Sequence, residues 1–461
     1  MNFCPAGILC IAISLWIVVR KKDCFFYLVL FVTILQIFIG KGFLLQIGGT
    51  NIPLITLPWF MIVAYCLLNV RSISNKFKVQ YLVFACCLCI PIVSLFMFPS
   101  KVWVAQSPFV TWDEILFEGA APVHPMVTRE VFVTTIKFVT YPLVLYYIYT
   151  RWQCKDYVRL LGKLSYVSNV FLAMGVIEFV VKNIFRMNTQ WGDFDLFFWG
   201  DVESTVHAGR LRGIFYESCL FTREASHYAF TLFMVALIKF ANNVCRNNDR
   251  KIDKSMISCF VLMFLSTAFS AVLMFSTFMA IYFVYKYGFE RSSLLVYILI
   301  ILFIIIIAVP FITAADISIV NRINDLFDSF ADYMSFDLNK SYQYSSDGST
   351  QIRLISAFQT FRAFCERPLF GYSLGTLTSH SPTATFLGNV GIVGLILWMR
   401  LYFLNNPLKK MVNTLPGLYA IGIGIYLFFN FWGGGIMLSA FGIFTPMIYA
   451  ICLCLIFKKE V

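Results

Sequence analysis

The 461-residue chain is 59% hydrophobic and only 13% charged, with a mean hydropathy of +0.78. No water-soluble globular domain needs that much apolar surface, so a lipid bilayer is the expected solvent for most of the chain. The formal net charge of +12 would suggest nucleic acid in a soluble protein. Here the positive-inside distribution of Lys and Arg accounts for it, and no nucleic-acid partner is expected.

Helices that cross a bilayer need about 20 apolar residues, or about 17 at the short end. Spans are predicted near 3–19, 24–40, 52–70, 79–98, 131–150, 164–181, 225–241, 256–269, 271–286, 293–312, 385–403, 416–431 and 436–457. Two short helices broken near Ser270 or one tilted helix would serve between Lys254 and Lys286, so the bundle has about 12–13 spans. The first span is followed, not preceded, by Arg20, Lys21 and Lys22 and lacks a small-x-small cleavage site. It reads as a retained helix. The fold class is thus all-α: one polytopic membrane domain over 1–461, with loops carrying short amphipathic helices.

Lys and Arg cluster at 20–22, 71–78, 151–163, 239–254, 286–291, 400–410 and 458–459, which hold most of the 36 basic residues. That side is read as cytoplasmic. Alternation then puts three long loops outside, about 99–130, 182–224 and 313–384. All four histidines, His124, His207, His227 and His380, fall outside or at the outer membrane edge, so chemistry is expected on that face. In 313–384, Ile319, Ile323, Leu326 and Phe330 recur at helical spacing and suggest a small helical cap.

Most of the 14 Cys lie in apolar spans, such as Cys86, Cys87, Cys89, Cys452 and Cys454. None has zinc-finger spacing with nearby His, so no metal is expected. Cys219 and Cys365, the exterior candidates, are too few for a disulfide framework. No P-loop, Rossmann glycine pattern, HExxH or nucleophile elbow is present, and no cofactor is expected.

Three constellations could carry chemistry. The first is GRLRGIFYESCLFTREASHYAF, Gly209 to Phe230. It places Arg210, Arg212 and Arg223 close to a helix start near Ser226. Guanidinium groups grip phosphate oxygens in a bidentate fork, and a helix N-terminus adds free N–H groups. Glu224, Ser226 and His227 could cap that helix or position a sugar hydroxyl. Alternatively, the arginines pair with Glu203, Glu217 and Glu224 in a solvated loop.

The second runs from Thr350 to Met399. Ile352, Ile355, Phe358, Phe361 and Cys365 share one face of a surface helix, with Arg353 and Arg362 on or beside the polar side. Arg367-Pro368 stops the helix, and Gly371 and Gly375 let the chain turn. His380 follows in a polar loop, and a membrane helix begins near Phe386. His380 could be a general base, a donor to a pyrophosphate, or an ordinary loop residue. Arg353 could equally snorkel to lipid headgroups. Gly388, Gly391 and Gly394 suggest close helix packing.

The third is a pair of ionisable residues inside spans. Lys137 lies ~9 Å, and Glu178 ~5 Å, below the outer ends of adjacent spans at 1.5 Å per residue. Either they bridge each other or they line a site.

The residues RLISAFQTFRAFCERPLFGYSLG and SHSPTATFLGNVGIVGLILW resemble the shared signature of the O-antigen polymerase and O-antigen ligase superfamily. The features are Arg353 opening a surface helix, Pro368 to Gly371 and Gly375 in a turn, His380, and Gly391 with Gly394. RGIFYESCLFTREASHYAF is similar to the upstream half, in which an arginine precedes a Glu-Pro-Ser-His-like helix start. Here Arg212 and Glu224-Ala225-Ser226-His227 match, with Ala225 in place of proline and extra residues around Ser218 to Thr222.

The resemblance implies a metal-independent integral-membrane glycosyltransferase, helical like the C-type glycosyltransferases. It would use undecaprenyl-pyrophosphate-linked glycans at the periplasmic face of the bacterial inner membrane. Arg212, Arg223 and Arg353 become expected pyrophosphate clamps, with Arg210 and His227 beside them. His380 and Glu224 become candidates for orienting or deprotonating the acceptor hydroxyl. A polymerase of O-antigen, capsule or exopolysaccharide repeat units is the first reading, with a chain-length regulator as a further partner. The rivals are an O-antigen ligase acting on lipid A-core and a flippase or transporter without covalent chemistry. The EASH stretch leans toward polymerases, and SHSP departs from the His-Asn pair associated with ligases. One-sided Arg and His residues argue against alternating access.

Overall fold

The computed structural model describes residues 2–39, 43–47, 50–69, 71, 74–100, 102–106, 109–186, 211–212, 215–216, 220, 225–246, 253–265, 275, 278–279, 348–379 and 382–403. In chain order the elements are β1 Asn2–Phe3, α1 Pro5–Arg20, α2 Cys24–Ile34, β2 Phe43–Ile47, β3 Thr50–Pro53, α3 Thr56–Leu68, α4 Asn75–Met97, α5 Trp112–Phe117, α6 Arg129–Arg151 and α7 Cys154–Phe179. Then come β4 Leu211–Arg212, β5 Phe215–Tyr216, α8 Ala225–Cys245, α9 Lys254–Leu265, α10 Gly348–Glu366 and α11 Pro382–Phe403. π-helical turns extend α2 through Leu35–Ile39 and α7 through Val180–Ile184.

Phe77–Met97, Arg129–Ile148 and Lys155–Ile184 are long and apolar enough to cross a membrane. Pro5–Arg20, Cys24–Phe38, Thr56–Leu68, Tyr228–Val244, Lys254–Met263 and Ala384–Trp398 are shorter apolar helices. The described residues are mostly helical, as an all-α membrane protein requires. The expected spans 293–312, 416–431 and 436–457, and nearly all of 271–286, lie outside the described residues.

Helix α8 is central. Tyr228, Leu232, Phe233, Val235, Leu237, Ile238 and Phe240 are all buried, and so are Lys239, Asn242 and Asn243 toward its end, so the helix is enclosed nearly all round. It packs on α7 and α9. At the α7 contact, Gly175 leaves the room that the Tyr228 hydroxyl occupies. The outer helices show the reverse pattern. Val19 on α1, Phe96 on α4 and Tyr166 on α7 are at least 70% exposed. Bulky apolar groups facing outward suit lipid and would aggregate in water.

Several basic segments meet at one end of the bundle. Arg159 of α7 forms an ion pair with Asp23 at 3.1 Å and bonds the Tyr27 hydroxyl at 2.9 Å. Ser74, the N-cap of α4, lies 2.7 Å from the Tyr146 hydroxyl, and Phe77 stacks on the Tyr146 ring. Arg246, just beyond α8, lies over Gly162. At the opposite end, the chain between α4 and α6 packs on the turn between α10 and α11.

The strands are a departure from the all-helical expectation. β1, β2 and β3 form an antiparallel sheet, with Ile47 paired to Thr50 around Gly48-Gly49. Two consecutive glycines in the sequence between two apolar runs are a hairpin signal that a hydropathy reading passes over.

Candidate functional site

Helix α10 ends at Glu366, and the Arg367–Phe370 turn follows. Its buried face is Ile355, Ser356, Gln359, Thr360 and Ala363, while Phe361 is 48% exposed and Cys365 is exposed. Of the apolar stripe read from the sequence, Ile355 lies in the packing face, whereas Phe361 and Cys365 face outward. In a bilayer the bulky residues can face lipid, and small residues let helices approach. Gly388 of α11 is the counterpart: a Cβ there would meet Leu377 Cδ1 at 2.7 Å and Thr360 Cγ2 at 3.2 Å.

Helix α11 is broken at Gly391, which has φ +66° and ψ −175°. The turn supplies the backbone partners that the break displaces. Tyr372 N donates to Gly388 O at 2.9 Å and Ser373 N to Asn389 O at 2.8 Å. In return, Ile392 N donates to Pro368 O at 2.8 Å and Val393 N to Leu369 O at 3.1 Å. Backbone groups inside a membrane protein must be paired, and a broken helix is stable only where such partners exist. A Cβ at Gly391 would lie 2.3 Å from Leu369 O, so this glycine serves both the left-handed conformation and the close approach of the turn. Close packing, expected of the three glycines alike, describes Gly388 and Gly391.

This arrangement fixes the approach to His380. Asn389 is fully buried. Its Oδ1 accepts from Leu377 N and its Nδ2 donates to Leu377 O, both at 2.9 Å. Trp112 Nε1 donates to Thr378 O at 2.7 Å, and Thr378 Oγ1 donates to Ala105 O at 3.1 Å. The Ser379 and Thr385 hydroxyls are 2.9 Å apart. Residues 377 and 379 are held by α11, and residue 378 by Trp112 of α5 and by Ala105.

A polar cluster closes the side nearest α4. Ser100 Oγ lies 2.9 Å from the Tyr372 hydroxyl and 3.4 Å from both Glu366 carboxylate oxygens. Arg367 donates to Ser94 Oγ at 3.1 Å and to Phe98 O, and its guanidinium covers the Tyr372 ring at 4.8 Å. Burial, with the Glu366 carboxylate adding to it, pushes the Tyr372 hydroxyl up to about 12, against the pull of the Ser100 bond and Arg367. Ser373 beside it has φ +80° and a buried hydroxyl with no hydrogen-bond partner among the described residues. Non-glycine residues in that region store strain, which sites tolerate more than scaffolds do. Of these cluster residues, the sequence analysis names only Arg367, and there as a helix stop. The one available signal was the density of polar residues around Gly371.

Of the arginine-rich segment, β4, β5 and Leu220 are described, and β5 and Leu220 lie against the end of α7. Arg212 lies in β4, paired with Phe215 of β5 in a short hairpin. α8 starts at Ala225, next to the start near Ser226 expected from the sequence, so His227 is in its first turn. Glu178 and Lys182 form a buried ion pair at 2.7 Å. The bridge between Glu178 and Lys137 that the sequence allowed is therefore replaced by one along a single helix, where side chains four residues apart already face each other. Glu178 Oε2 also accepts from Leu220 N at 3.0 Å.

Arg353 lies in α10, seven residues before Thr360, in the same packed unit as the approach to His380. Arg210, Arg223, Glu224 and His380 lie outside the described residues. No family model and no curated protein matches the chain.

Proposed function

We propose that this chain is an integral-membrane glycosyltransferase acting on lipid-linked glycans at one membrane face. Within that class we read it as a polysaccharide polymerase of the bacterial inner membrane, joining undecaprenyl-pyrophosphate-linked repeat units on the periplasmic side. The observation that supports it most is the pinned turn: Asn389, Trp112 and Thr385 hold residues 377–379. His380 is the next residue, and the Arg353 helix packs on the same broken helix. A reacting group needs that kind of rigid support.

In the reaction, an acceptor hydroxyl oxygen bonds to the anomeric carbon of the donor sugar. The bond from that carbon to the phosphate oxygen breaks, and the lipid pyrophosphate leaves with its electron pair. The hydroxyl proton passes to His380 or Glu224. Negative charge grows on the phosphate oxygens, and Arg212, Arg223 and Arg353 supply fixed positive charge to meet it, with Arg210 and His227 nearby.

A deletion strain tests the assignment. It should carry surface glycan capped with a single repeat unit and no long polymer. Bare core with long polymer accumulating on the lipid carrier would assign the chain as a ligase instead.

A further inference from the structure

Lysines inside a membrane are costly, and this chain partners the two that it fully buries among the described residues, Lys182 and Lys239. Lys182 pairs with Glu178 at 2.7 Å. Lys239 of α8 donates to Ser165 O at 2.7 Å, to Ser165 Oγ at 3.0 Å and to Asn169 Oδ1. Lys137 of α6 differs. Its ammonium has no ion pair and no hydrogen bond among the described residues.

A lone lysine on the lipid side of a helix snorkels to the headgroups and needs no other explanation. Lys137 is not on that side. Phe132 and Ile136 are exposed and mark the lipid side of α6. Lys137, about 100° further round than Ile136, shares its face with Tyr141, Val144 and Ile148, none more than 2% exposed. Toward the start of α6 the same face carries Thr134 and Glu130, and the pinned turn lies over them. A Cβ at Gly375 would lie 2.9 Å from Glu130 O and 3.2 Å from Thr134 Oγ1. Lys137 is thus half-buried on an inward face, where a packed core would have sealed it. Glu130, about 10 Å away along the axis, forms no ion pair among the described residues. It neither neutralises Lys137 nor crowds an anion bound there.

Two helix discontinuities meet beside this lysine. Pro142 in α6 has no N–H to give Phe138 O, and α11 is broken at Gly391. The Phe138 ring lies 5.5 Å from Phe386 and 6.5 Å from Trp398, one on each side of that break. Thr140 Oγ1 donates to Lys137 O at 2.6 Å and accepts from Trp59 Nε1 at 3.0 Å. The backbone of Lys137 is fixed, while its ammonium is unclaimed. Interrupted helices within a membrane characteristically line a cavity or an ion-binding site.

An ammonium with three rotatable donors suits a phosphate oxygen. Lys137 sits about two turns into α6, a depth that a phosphate reaches while its own chain stays in hydrocarbon. We propose that Lys137 is the cation of a lipid-phosphate site between α6 and the pinned turn. Its ligand is the pyrophosphate of the lipid carrier, an identity that rests on the polymerase reading.

The test uses the full chain, purified in a phosphate-free detergent as wild type, Lys137→Met and Lys137→Arg. Binding of undecaprenyl pyrophosphate, phosphatidylglycerol and inorganic pyrophosphate is read by native mass spectrometry, and unfolding midpoints are read without ligand. Lys137→Met should bind undecaprenyl pyrophosphate at least ~10-fold more weakly than wild type, the scale of one lost charge-assisted hydrogen bond. Lys137→Arg should fall between them, and inorganic pyrophosphate should bind far more weakly than the lipid. Lys137→Met should unfold at the wild-type midpoint or above it, because it removes a charge that no protein group compensates. Equal binding by wild type and Lys137→Met overturns the site. So does a Lys137→Met chain that fails to fold or unfolds well below wild type, since the lysine would then serve the fold. Binding of none of the probes by folded wild type overturns it as well, and inorganic pyrophosphate bound as tightly as the lipid overturns the need for a lipid. Lys137-dependent binding of phosphatidylglycerol alone keeps the lipid-phosphate site and overturns the carrier as its ligand. Lys137-dependent binding of undecaprenyl pyrophosphate by a wild type that extends no glycan leaves the site standing and sinks only the polymerase reading.

Discussion

Asn389 holds Leu377 from both sides, accepting its N–H and donating to its carbonyl with the two ends of one buried amide. Only Asn or Gln carries both functions, and Gln is a methylene longer. Asn389→Leu leaves two buried backbone groups unpaired, at about 1–3 kcal/mol each. Asn389→Asp keeps the acceptor but sets an oxygen against Leu377 O. Both should lower the thermal unfolding midpoint in detergent, Asn389→Leu by a loss of about 2–6 kcal/mol, and both should reduce turnover. A wild-type midpoint for Asn389→Asp would contradict this account of the turn.

Two glycines with left-handed φ separate backbone strain from steric need. Gly119 has φ +70° with nothing within 4 Å of a Cβ, whereas Gly391 has φ +66° with Leu369 O at 2.3 Å. Gly119→Ala should cost only the conformational penalty, about 1–2 kcal/mol. Gly391→Ala adds overpacking and should cost about 3 kcal/mol or more. Unfolding midpoints of the two variants, measured side by side, check the difference, and equal effects would show that the helix break does not depend on close approach.

Tyr372 gives a pH prediction. Its hydroxyl is pushed from an ordinary 10 up to about 12, so the fold favours the neutral phenol. The stabilisation is fully present below about pH 10 and is lost as pH rises from 10 toward 12. Stability measured as the difference between wild type and Tyr372→Phe should therefore be flat from pH 7 to 9 and shrink above 10. A difference that grows with pH would reverse the assigned sign.

Much of the helical frame was legible in the sequence, because apolar length and basic flanks are properties of local composition. The stop at Arg367-Pro368 and the turns at Gly371 and Gly375 were legible too, and both glycines have positive φ. What escaped depends on partners distant in sequence. The stripe of Ile352, Ile355, Phe358, Phe361 and Cys365 gives no sign of which members face protein, since lipid accepts the rest. Gly391 looks like Gly388 in sequence, and only the Leu369 carbonyl lying over it distinguishes them. The choice of Lys182 over Lys137 as the Glu178 partner turns on helix orientation, which hydropathy does not encode. Of the candidate site, the sequence supplied the ionisable residues Arg353 and His380. Asn389, Trp112 and Ser100, which hold the turn before His380, carry no charge and matched no motif.

The central claim is tested most directly by extension of purified undecaprenyl-pyrophosphate-linked repeat units with the reconstituted chain. The wild type should yield a ladder of lipid-linked polymers. Arg353→Lys keeps the charge but loses the bidentate fork and should lose most activity. Arg353→Ala should lose about 10²–10³-fold, as when one oxyanion donor is removed. If His380 takes the hydroxyl proton, activity falls as the ring protonates below its ordinary value of about 6.5. A wild-type ladder that shrinks in this order is the predicted result. No ladder from folded wild type, or near wild-type rates for both Arg353→Lys and His380→Ala, would contradict it.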